Sequence, residues 1–366
     1  MDLQIVEVSL VDGAPGAIRR ALDAVKRIDA SHALISDGND DCVFSLDDLV
    51  TRFTASRSDV KQILFIALRP GSQPMDMVEP ESSLLSEDIV GYAHSALSLI
   101  DNLHKVDITL LVDPAWEGRG IGSALLETAE KAALELNRNI FQTWSRGQIS
   151  TEEESLHATE GPWALHPDRS ARFALAAGYS LEQVERHSIQ RLEAFTPAPL
   201  AIPGYRFVTF HDHTPDDLLG TLSQLNIAMS TDAPSGGLSL EASCWTPELV
   251  IQNDKSRYAV RQGVSTVAFS DDGDPAGFTE LMCDPNNPAP IFQNNTLVLS
   301  KHRGHGLGYA LKQLNAAAAK ARWPLARRIH TWNAAENDFM WHINERLGYE
   351  TASAEGIWQK IVAEQS

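Results

Sequence analysis

The sequence has little of what marks several classes of protein. Its cysteines Cys42, Cys244 and Cys283 are isolated and show no C-x-x-C spacing, which argues against a disulfide framework or a zinc knuckle. No apolar run approaches the roughly 20 residues that a membrane-spanning helix needs. Residues 1–8 lack a basic region followed by an apolar core, so we expect no signal peptide.

Basic residues are also scarce, since 30 Lys and Arg stand against 49 Asp and Glu and give a formal net charge of -19. Nucleic acids attract basic surfaces, so this charge disfavours them as partners. It is compatible with a cationic substrate such as an amine, although many cytosolic proteins are simply acidic. We therefore expect a cytoplasmic protein that binds neither nucleic acid nor membrane.

What the sequence does contain is a strand, a glycine loop and a helix in succession over Thr296–Ala316. The β-rich run Thr296–Leu299 comes first, and apolar residues at helical spacing follow the loop. The loop glycines are Gly304, Gly306 and Gly308. Amides at the start of a helix have no intrahelical partner, and glycines allow the backbone to direct several of them at one phosphate. Positive charge at this anion site would come from Arg303, with Lys301 or Lys312.

The same pattern occurs once more, over 110–126, with Gly118, Gly120 and Gly122 in the loop. The offset that brings Gly120 onto Gly306 also brings Gly91 onto Gly277. The repeat predicts two similar α/β domains with mixed sheets. We place them at residues 1–195 and 204–366, joined by the proline-rich segment 196–203, which we interpret as a stiff linker.

Strands, a loop of the form R-x-x-G-x-G, a helix, a strand and a helix ending in Gly348-Tyr349 resemble the GNAT N-acetyltransferases. The chain is similar to a tandem member of that family. The resemblance implies acetyl-CoA as cosubstrate and direct transfer of the acetyl group to a primary amine of a small molecule. It implies no metal, and His302, His305, His330 and His342 form no metal-binding pattern. It leaves open whether the chain forms a homodimer.

The resemblance also implies which residues hold the cofactor. In the second copy the pyrophosphate loop would consist of Arg303, Gly304, His305, Gly306, Leu307 and Gly308. Asn337 matches the family residue beside the pantetheine arm. A backbone N–H of Leu297, Val298 or Leu299 would donate to the thioester oxygen. In the first copy the backbone cradle would consist of Gly118, Arg119, Gly120, Ile121 and Gly122.

The sequence departs from the family pattern at several of these positions. Asn344 stands where the family often has a Tyr that reprotonates the thiolate, so Tyr309 and His305 are considered as substitutes. In the first copy Glu117 occupies the Arg position of the loop, and Pro167 and Ala174 occupy the positions of Asn337 and Asn344. We therefore expect the C-terminal copy to be the catalytic one and the N-terminal CoA site to be degenerate.

A base must remove the proton from the ammonium group of the acceptor, and Glu280 is the candidate. It lies in the middle of a predicted strand, flanked by apolar residues that would raise its pKa. The opposite interpretation, a salt-bridged residue on the other face, stays open. His94 is the repeat partner of Glu280 and has either a similar or a structural role. Trp332 and Trp341 line an acceptor pocket or pack in the core.

Two other functions remain open from the sequence. One is a non-catalytic acyl-CoA-binding or scaffold protein, which the missing Tyr would favour. The other is N-acetylation of proteins or peptides, which would need a groove open at both ends. No residue pattern identifies the acceptor.

Overall fold

The computed structural model describes residues 3–11, 13–72, 85–152, 154–198 and 200–363. Most of the polar loop predicted over 70–88 lies outside these residues. The strands are β1 (Gln4–Val8), β2 (Val60–Leu68), β3 (Ile89–Ser98), β4 (Lys105–Val112), β5 (Ile140–Gly147), β6 (Leu156–His157), β7 (Ala164–Leu165), β8 (Ser180–Arg191), β9 (Tyr205–His211), β10 (Gln262–Ser270), β11 (Pro275–Asp284), β12 (Asn287–Val298), β13 (Arg328–Ala334) and β14 (Tyr349–Ile361). The helices are α1 (Pro15–Ser36), α2 (Leu46–Thr54), α3 (Ile121–Glu135), α4 (Arg169–Ala176), α5 (Leu219–Asp232), α6 (Pro247–Arg257), α7 (Leu307–Arg322) and α8 (Asp338–Arg346).

Contacts between residues divide the chain into two compact units that are not continuous in sequence. Unit 1 comprises Met1–Ser145, Arg172–Ser180 and Ile357–Ser366, and unit 2 comprises Arg146–Ala171 and Leu181–Gly356. The first half of the chain thus supplies β8 to unit 2, and the end of β14 belongs to unit 1. The segment predicted as a linker, residues 196–203, separates the two copies of the sequence repeat. Its role as a boundary between domains stays a prediction.

Unit 1 is built on a sheet with the order β1-β2-β3-β4-β5, followed by the end of β14. Strands β1 to β4 are antiparallel neighbours, and β4 and β5 are parallel. Helices α1 and α2 pack on one face through a core that includes Leu22, Ile28 and Leu64. Helix α3 passes so close to the sheet that a Cβ on Gly91 would lie 3.1 Å from Leu125.

Unit 2 repeats this plan with the order β8-β13-β12-β11-β10-β9, and the start of β14 lies beside β8. Helices α5 and α6 pack on one face around Phe278 and Leu297. Helix α7 packs on the other face, where a Cβ on Gly277 would lie 3.2 Å from Leu311. Gly91 and Gly277 are partners in the sequence repeat, and each allows the helix that follows a glycine loop to approach the sheet closely.

The second half contains two strands that differ from the sequence predictions. Strand β12 begins at Asn287, before the predicted start at Thr296, because pairing with β11 supplies hydrogen bonds to a segment whose prolines and asparagines disfavour a strand on their own. Strand β14, a long closing strand after Gly348, was not predicted from the sequence.

The segment predicted as a polar insertion, 145–168, contains the short hairpin of β6 and β7. From Arg146 it belongs to unit 2, where Gly161 lies near Glu336. None of the described helices is long and apolar enough to cross a membrane.

Candidate active site

Each unit contains a pair of parallel strands that diverge. Strands β12 and β13 pair only from Pro290–Phe292 with Arg328–His330, although β12 continues to Val298. Strands β4 and β5 pair only from Lys105–Asp107 with Ile140–Gln142. Ligands of α/β sheets bind outside the carboxyl ends of parallel strands, so the opening beyond each short pairing is the candidate site.

The glycine loops adopt the backbone conformation that an anion site needs. Gly304 and Gly306 have φ of 82° and 77°, and Gly118 and Gly120 have φ of 73° and 81°. These left-handed values are accessible to glycine at little steric cost. Gly306 and Gly120 are the N-caps of α7 and α3, and neither helix has a side-chain cap, so the first amides face the loop.

The charges around the second loop differ in part from the sequence prediction. The Arg303 guanidinium donates to the carbonyl of Val298 at 3.1 Å and to Asp232 Oδ2 at 3.2 Å, which holds it beside the loop. Lys301 is exposed and pairs with Asp274 at 2.9 Å. Lys312 was a wrong choice, because its side chain is buried and donates to Asn344 Oδ1 at 2.6 Å, away from the loop surface.

One of the backbone amides predicted to donate to the thioester oxygen, at the end of β12, points into the opening between β12 and β13. The amide of Leu299 donates to the carbonyl of Ala276 on β11 at 3.0 Å. Successive amides of a strand point to opposite sides, so the amide of Val298 points away from β11, towards the gap left by β13. Val298 is therefore the better-placed thioester donor among Leu297, Val298 and Leu299.

The residues of the second signature lie at the start of α8 and along it. Asn337 is the N-cap, and its Oδ1 accepts from the amide of Met340 at 3.1 Å. Its Nδ2 has no partner among the described residues. Asn344 is buried and donates through Nδ2 to Asn333 Oδ1 at 2.8 Å.

The two proposed substitutes for the missing Tyr lie at the start of α7 and in the loop before it. Tyr309 is half-buried on the first turn of α7, where the Arg346 guanidinium lies 4.3 Å from the centre of its ring. His305 is exposed, and its Nδ1 lies 3.0 Å from the carbonyl of Arg303. Both stay predictions as general acids.

The first loop carries carboxylates where the second carries a cation. Glu117 Oε1 lies 3.8 Å from His32 Nε2, and Asp113 pairs with Arg27 at 2.6 Å. Arg119 turns back on the loop, with its guanidinium 4.6 Å from the centre of the Trp116 ring. The first loop therefore has a carboxylate, Glu117, at the position that Arg303 occupies in the second loop.

Glu280 lies on the α5 and α6 face of unit 2, opposite an irregularity in β12. Asn294 and Asn295 together face this one residue, which makes a β-bulge in β12. The corresponding register of β3 and β4 runs without a break from Gly91 to Ala96. Burial raises the pKa of Glu280, and Arg257, whose guanidinium lies 3.5 Å from the carboxylate, opposes that rise. Its assignment as the base stays a prediction.

The repeat partner of Glu280 is placed in a different environment. His94 Nε2 is 3.0 Å from Gln62 Oε1, and the His94 ring packs against Phe53 with a centroid distance of 4.5 Å. Burial, with a contribution from Arg52, lowers the pKa of His94 to about 4. This packing favours the structural interpretation of His94.

Strand β8 brings residues to unit 2 that sequence reasoning missed. Glu185 pairs with Ala334 at the end of β13, and His187 stacks on Trp332 with a centroid distance of 4.4 Å. On the other face of β8, the Arg186 guanidinium lies 3.9 Å from the centre of the Trp341 ring. These residues precede the linker, so no local pattern associated them with the second glycine loop.

Comparisons with known proteins agree with this geometry. Residues 49–148 match the model of the acetyltransferase (GNAT) family. The solved structure of a tandem GNAT protein from the clavulanic acid biosynthesis pathway is similar over 100% of both chains, with a TM-score of 0.75 and 23% identity. A GCN5-related N-acetyltransferase from Sphaerobacter thermophilus is similar over 98% of this chain and 95% of its own, with a TM-score of 0.61 and 15% identity. No curated protein sequence matches the chain.

The diverging strands, the glycine loops and the family match together define a GNAT-type acyltransferase. The family match is confined to residues 49–148, and the fold of the whole chain is similar to that of a tandem GNAT protein. The family generally uses acetyl-CoA. The family match covers the first copy, whereas the second copy carries the cationic loop.

Proposed function

We propose that the second copy transfers an acetyl group from acetyl-CoA to a primary amine of a small molecule. The observation that carries this proposal is that Arg303 and the left-handed glycines lie beside the end of β12, where β12 and β13 no longer pair. A cation and helix-end amides at one end suit a pyrophosphate, and the gap beyond them suits an extended chain.

Residues of the chain have separate roles in this proposal. The loop amides and Arg303 bind the pyrophosphate, and Asn337 Nδ2 donates to the pantetheine arm. The Val298 amide donates to the thioester oxygen, which gains negative charge as the amine attacks. Holding the amine and the thioester in line supplies most of the remaining acceleration.

The test is release of free thiol from acetyl-CoA by the full chain, followed with a thiol-reactive dye. The panel of acceptors contains aliphatic diamines, amino sugars, amino acids and short peptides. We expect release that depends on one class of small primary amine. Binding of acetyl-CoA without release by any amine would contradict the proposal and favour an acyl-CoA-binding protein. Release only with peptides would favour peptide N-acetylation.

A further inference from the structure

A glutamate of β8 lies at the carboxyl end of β13, where the second site opens. Glu185 pairs with Ala334, the last residue of β13. Parallel strands of α/β folds bind their ligands at this end. Glu185 is therefore placed at the opening by the sheet, although it lies far from the glycine loop of residues 304–308 in sequence.

The side chain of Glu185 lies on the face opposite to α8. Its neighbour Arg186 packs on Trp341 of α8, and side chains alternate along a strand. Because side chains two residues apart on a strand share a face, Glu185 and His187 lie on the same face, opposite to Arg186. On that face the rings of His187 and Trp332 stack with their planes 8° apart. An acceptor approaching from this face would meet the opening from the side not occupied by α7 and α8.

Glu185 is half-buried and has neither a hydrogen bond nor an ion pair among the described residues. The charged neighbour on the loop after β13 is Glu336, which accepts from Gln183 Nε2 at 2.7 Å. Glu280, by contrast, has Arg257 at 3.5 Å. A partly desolvated carboxylate beside a second carboxylate is unfavourable without a cation, so the arrangement favours a cationic ligand.

The end of α5 and the residues that follow it contact both Arg303 and Gln183, which lies two residues before Glu185 on β8. Asp232, at the end of α5, accepts from Arg303 at 3.2 Å. The carbonyl of Pro234 accepts from Gln183 Nε2 at 3.1 Å. Residues 232 and 234 therefore connect the phosphate-binding loop with the part of β8 that carries Glu185.

We propose that Glu185 receives the ammonium group of the acceptor and removes its proton, a role that rests on the acetyl transfer proposed above. The carboxylate takes one proton from R–NH3+, and the freed nitrogen lone pair forms the C–N bond with the thioester carbon. The C–S bond breaks with its electron pair on sulfur. The second proton lost by nitrogen neutralises the thiolate, and Glu185 returns its proton to solvent.

The electrostatic surroundings suit this role near neutral pH. Burial raises the pKa of Glu185 to about 7, and the charge of Glu336 adds to the rise. Other titratable groups on this face include His187 on β8, His330 on β13, whose Nδ1 lies 3.0 Å from His187 Nε2, and Glu355 on β14, which accepts from Trp332 Nε1 at 2.9 Å. A base whose pKa lies near the working pH combines a populated carboxylate with effective proton uptake.

The experiment compares three variants of the full chain with the amine that gives the fastest thiol release. Glu185→Gln should lower kcat/KM by about 10²–10⁴-fold and remove the acidic limb of its pH profile, with acetyl-CoA affinity unchanged. Glu336→Gln should move that limb to lower pH, because a repelling charge is removed. Glu280→Gln tests the competing assignment of the base, and the acidic limb should persist in this variant if Glu185 is the base.

An unchanged acidic limb in Glu185→Gln would overturn the proposal, as would loss of the limb in Glu280→Gln alone. A purely structural role would lower the melting temperature without moving the limb, so melting curves accompany each variant. If the wild-type protein releases no thiol with any amine, the acetyl-transfer proposal fails first. An infrared titration that compares wild type with Glu185→Gln then measures the ionisation of the Glu185 carboxyl group. Ionisation well below pH 6 would contradict the role of Glu185 as the base.

Discussion

The ammonium nitrogen of Lys312 lies 2.6 Å from Oδ1 of Asn344 and 4.8 Å from the centre of the Tyr349 ring. Lys312 is 2% exposed and forms no ion pair with the described residues. Burial lowers its pKa from 10.5 to about 7. The helix that carries the second glycine loop therefore has a buried cation whose partners are neutral.

We predict that Lys312→Met increases the free energy of unfolding at pH 6 by about 1–4 kcal/mol, because it removes an uncompensated buried charge. The unfolded chain binds more protons than the folded one between pH 7 and 10.5, so wild-type stability attributable to Lys312 rises with pH there. The gain should therefore shrink at pH 9.5. Urea unfolding at both pH values measures it.

Lys320→Met on the same helix is the control for that experiment. Lys320 donates to the carbonyls of Leu192 and Phe195 at 2.7 and 2.8 Å, and its removal leaves two acceptors without a donor. It should lower stability at both pH values. A similar loss with Lys312→Met at both pH values would mean that the Lys312–Asn344 hydrogen bond outweighs the burial of the charge.

The two glycine loops should differ in their affinity for acetyl-CoA. Gly306→Glu places a carboxylate in the loop bordered by Arg303, and it should weaken binding at least tenfold by calorimetry. Gly120→Glu should change the affinity little, since Glu117 already borders that loop. Gly273→Glu controls for strain, because Gly273 has φ of 89° in the turn between β10 and β11 and open space around it.

Loss of binding in Gly120→Glu alone would reverse the assignment and place the cofactor in the first copy. Loss in both variants, with Gly273→Glu unaffected, would mean that both copies bind.

His94 should make the protein sensitive to acid. Its folded pKa of about 4 lies below its ordinary value of 6.5, so the unfolded chain binds more protons between these values and stability falls as pH drops from 6.5 to 4. His94→Gln should reduce that fall by up to about 3 kcal/mol. Urea unfolding at pH 4.5 and 7 measures it, with the exposed His213→Gln as control. Equal pH dependence in wild type and His94→Gln would refute the assignment.

The first half should be needed for the second copy to fold. A fragment 204–366 lacks β8, whose residues from Glu185 to Arg191 pair with β13 from Ala334 to Arg328. It also lacks Leu192 and Phe195, which are buried in the core beside α7. We predict that this fragment self-associates through the exposed edge of β13. Light scattering should show larger particles for it than for fragment 181–366. A monomeric, active fragment 204–366 would show that the second copy folds and works without the first half.

Much of the fold and of the loop site could be predicted because its signals are local in sequence. The left-handed Gly304 and Gly306 and the N-cap Asn337 each depend on residue types within a short segment. The α/β class and the tandem form, predicted from the repeat, are confirmed by the fold comparison. The assignments of Glu280 and Tyr309 stay predictions.

The position of Glu185 and the burial of Lys312 were not predicted because they depend on contacts between residues far apart in sequence. Glu185 reaches unit 2 only because β8 pairs with β13, and no periodicity encodes that partner. The burial of Lys312 depends on Asn344, which lies on another helix. A lysine on an otherwise amphipathic helix is equally compatible with an exposed position, so Lys312 was considered beside Lys301 on the basis of charge alone.

The placement of β8 also has a consequence for synthesis on the ribosome. Arg191 pairs with Arg328, and the sheet of unit 1 takes its last strand from residues after Gly356. Nascent chains emerge from the N-terminal end, and domains contiguous in sequence can fold while translation continues. Here the sheet of unit 1 stays incomplete until residues 357–361 are made. Translation of nearly the whole chain should therefore precede native folding of either half, and an unpaired β8 would need protection from aggregation during that time.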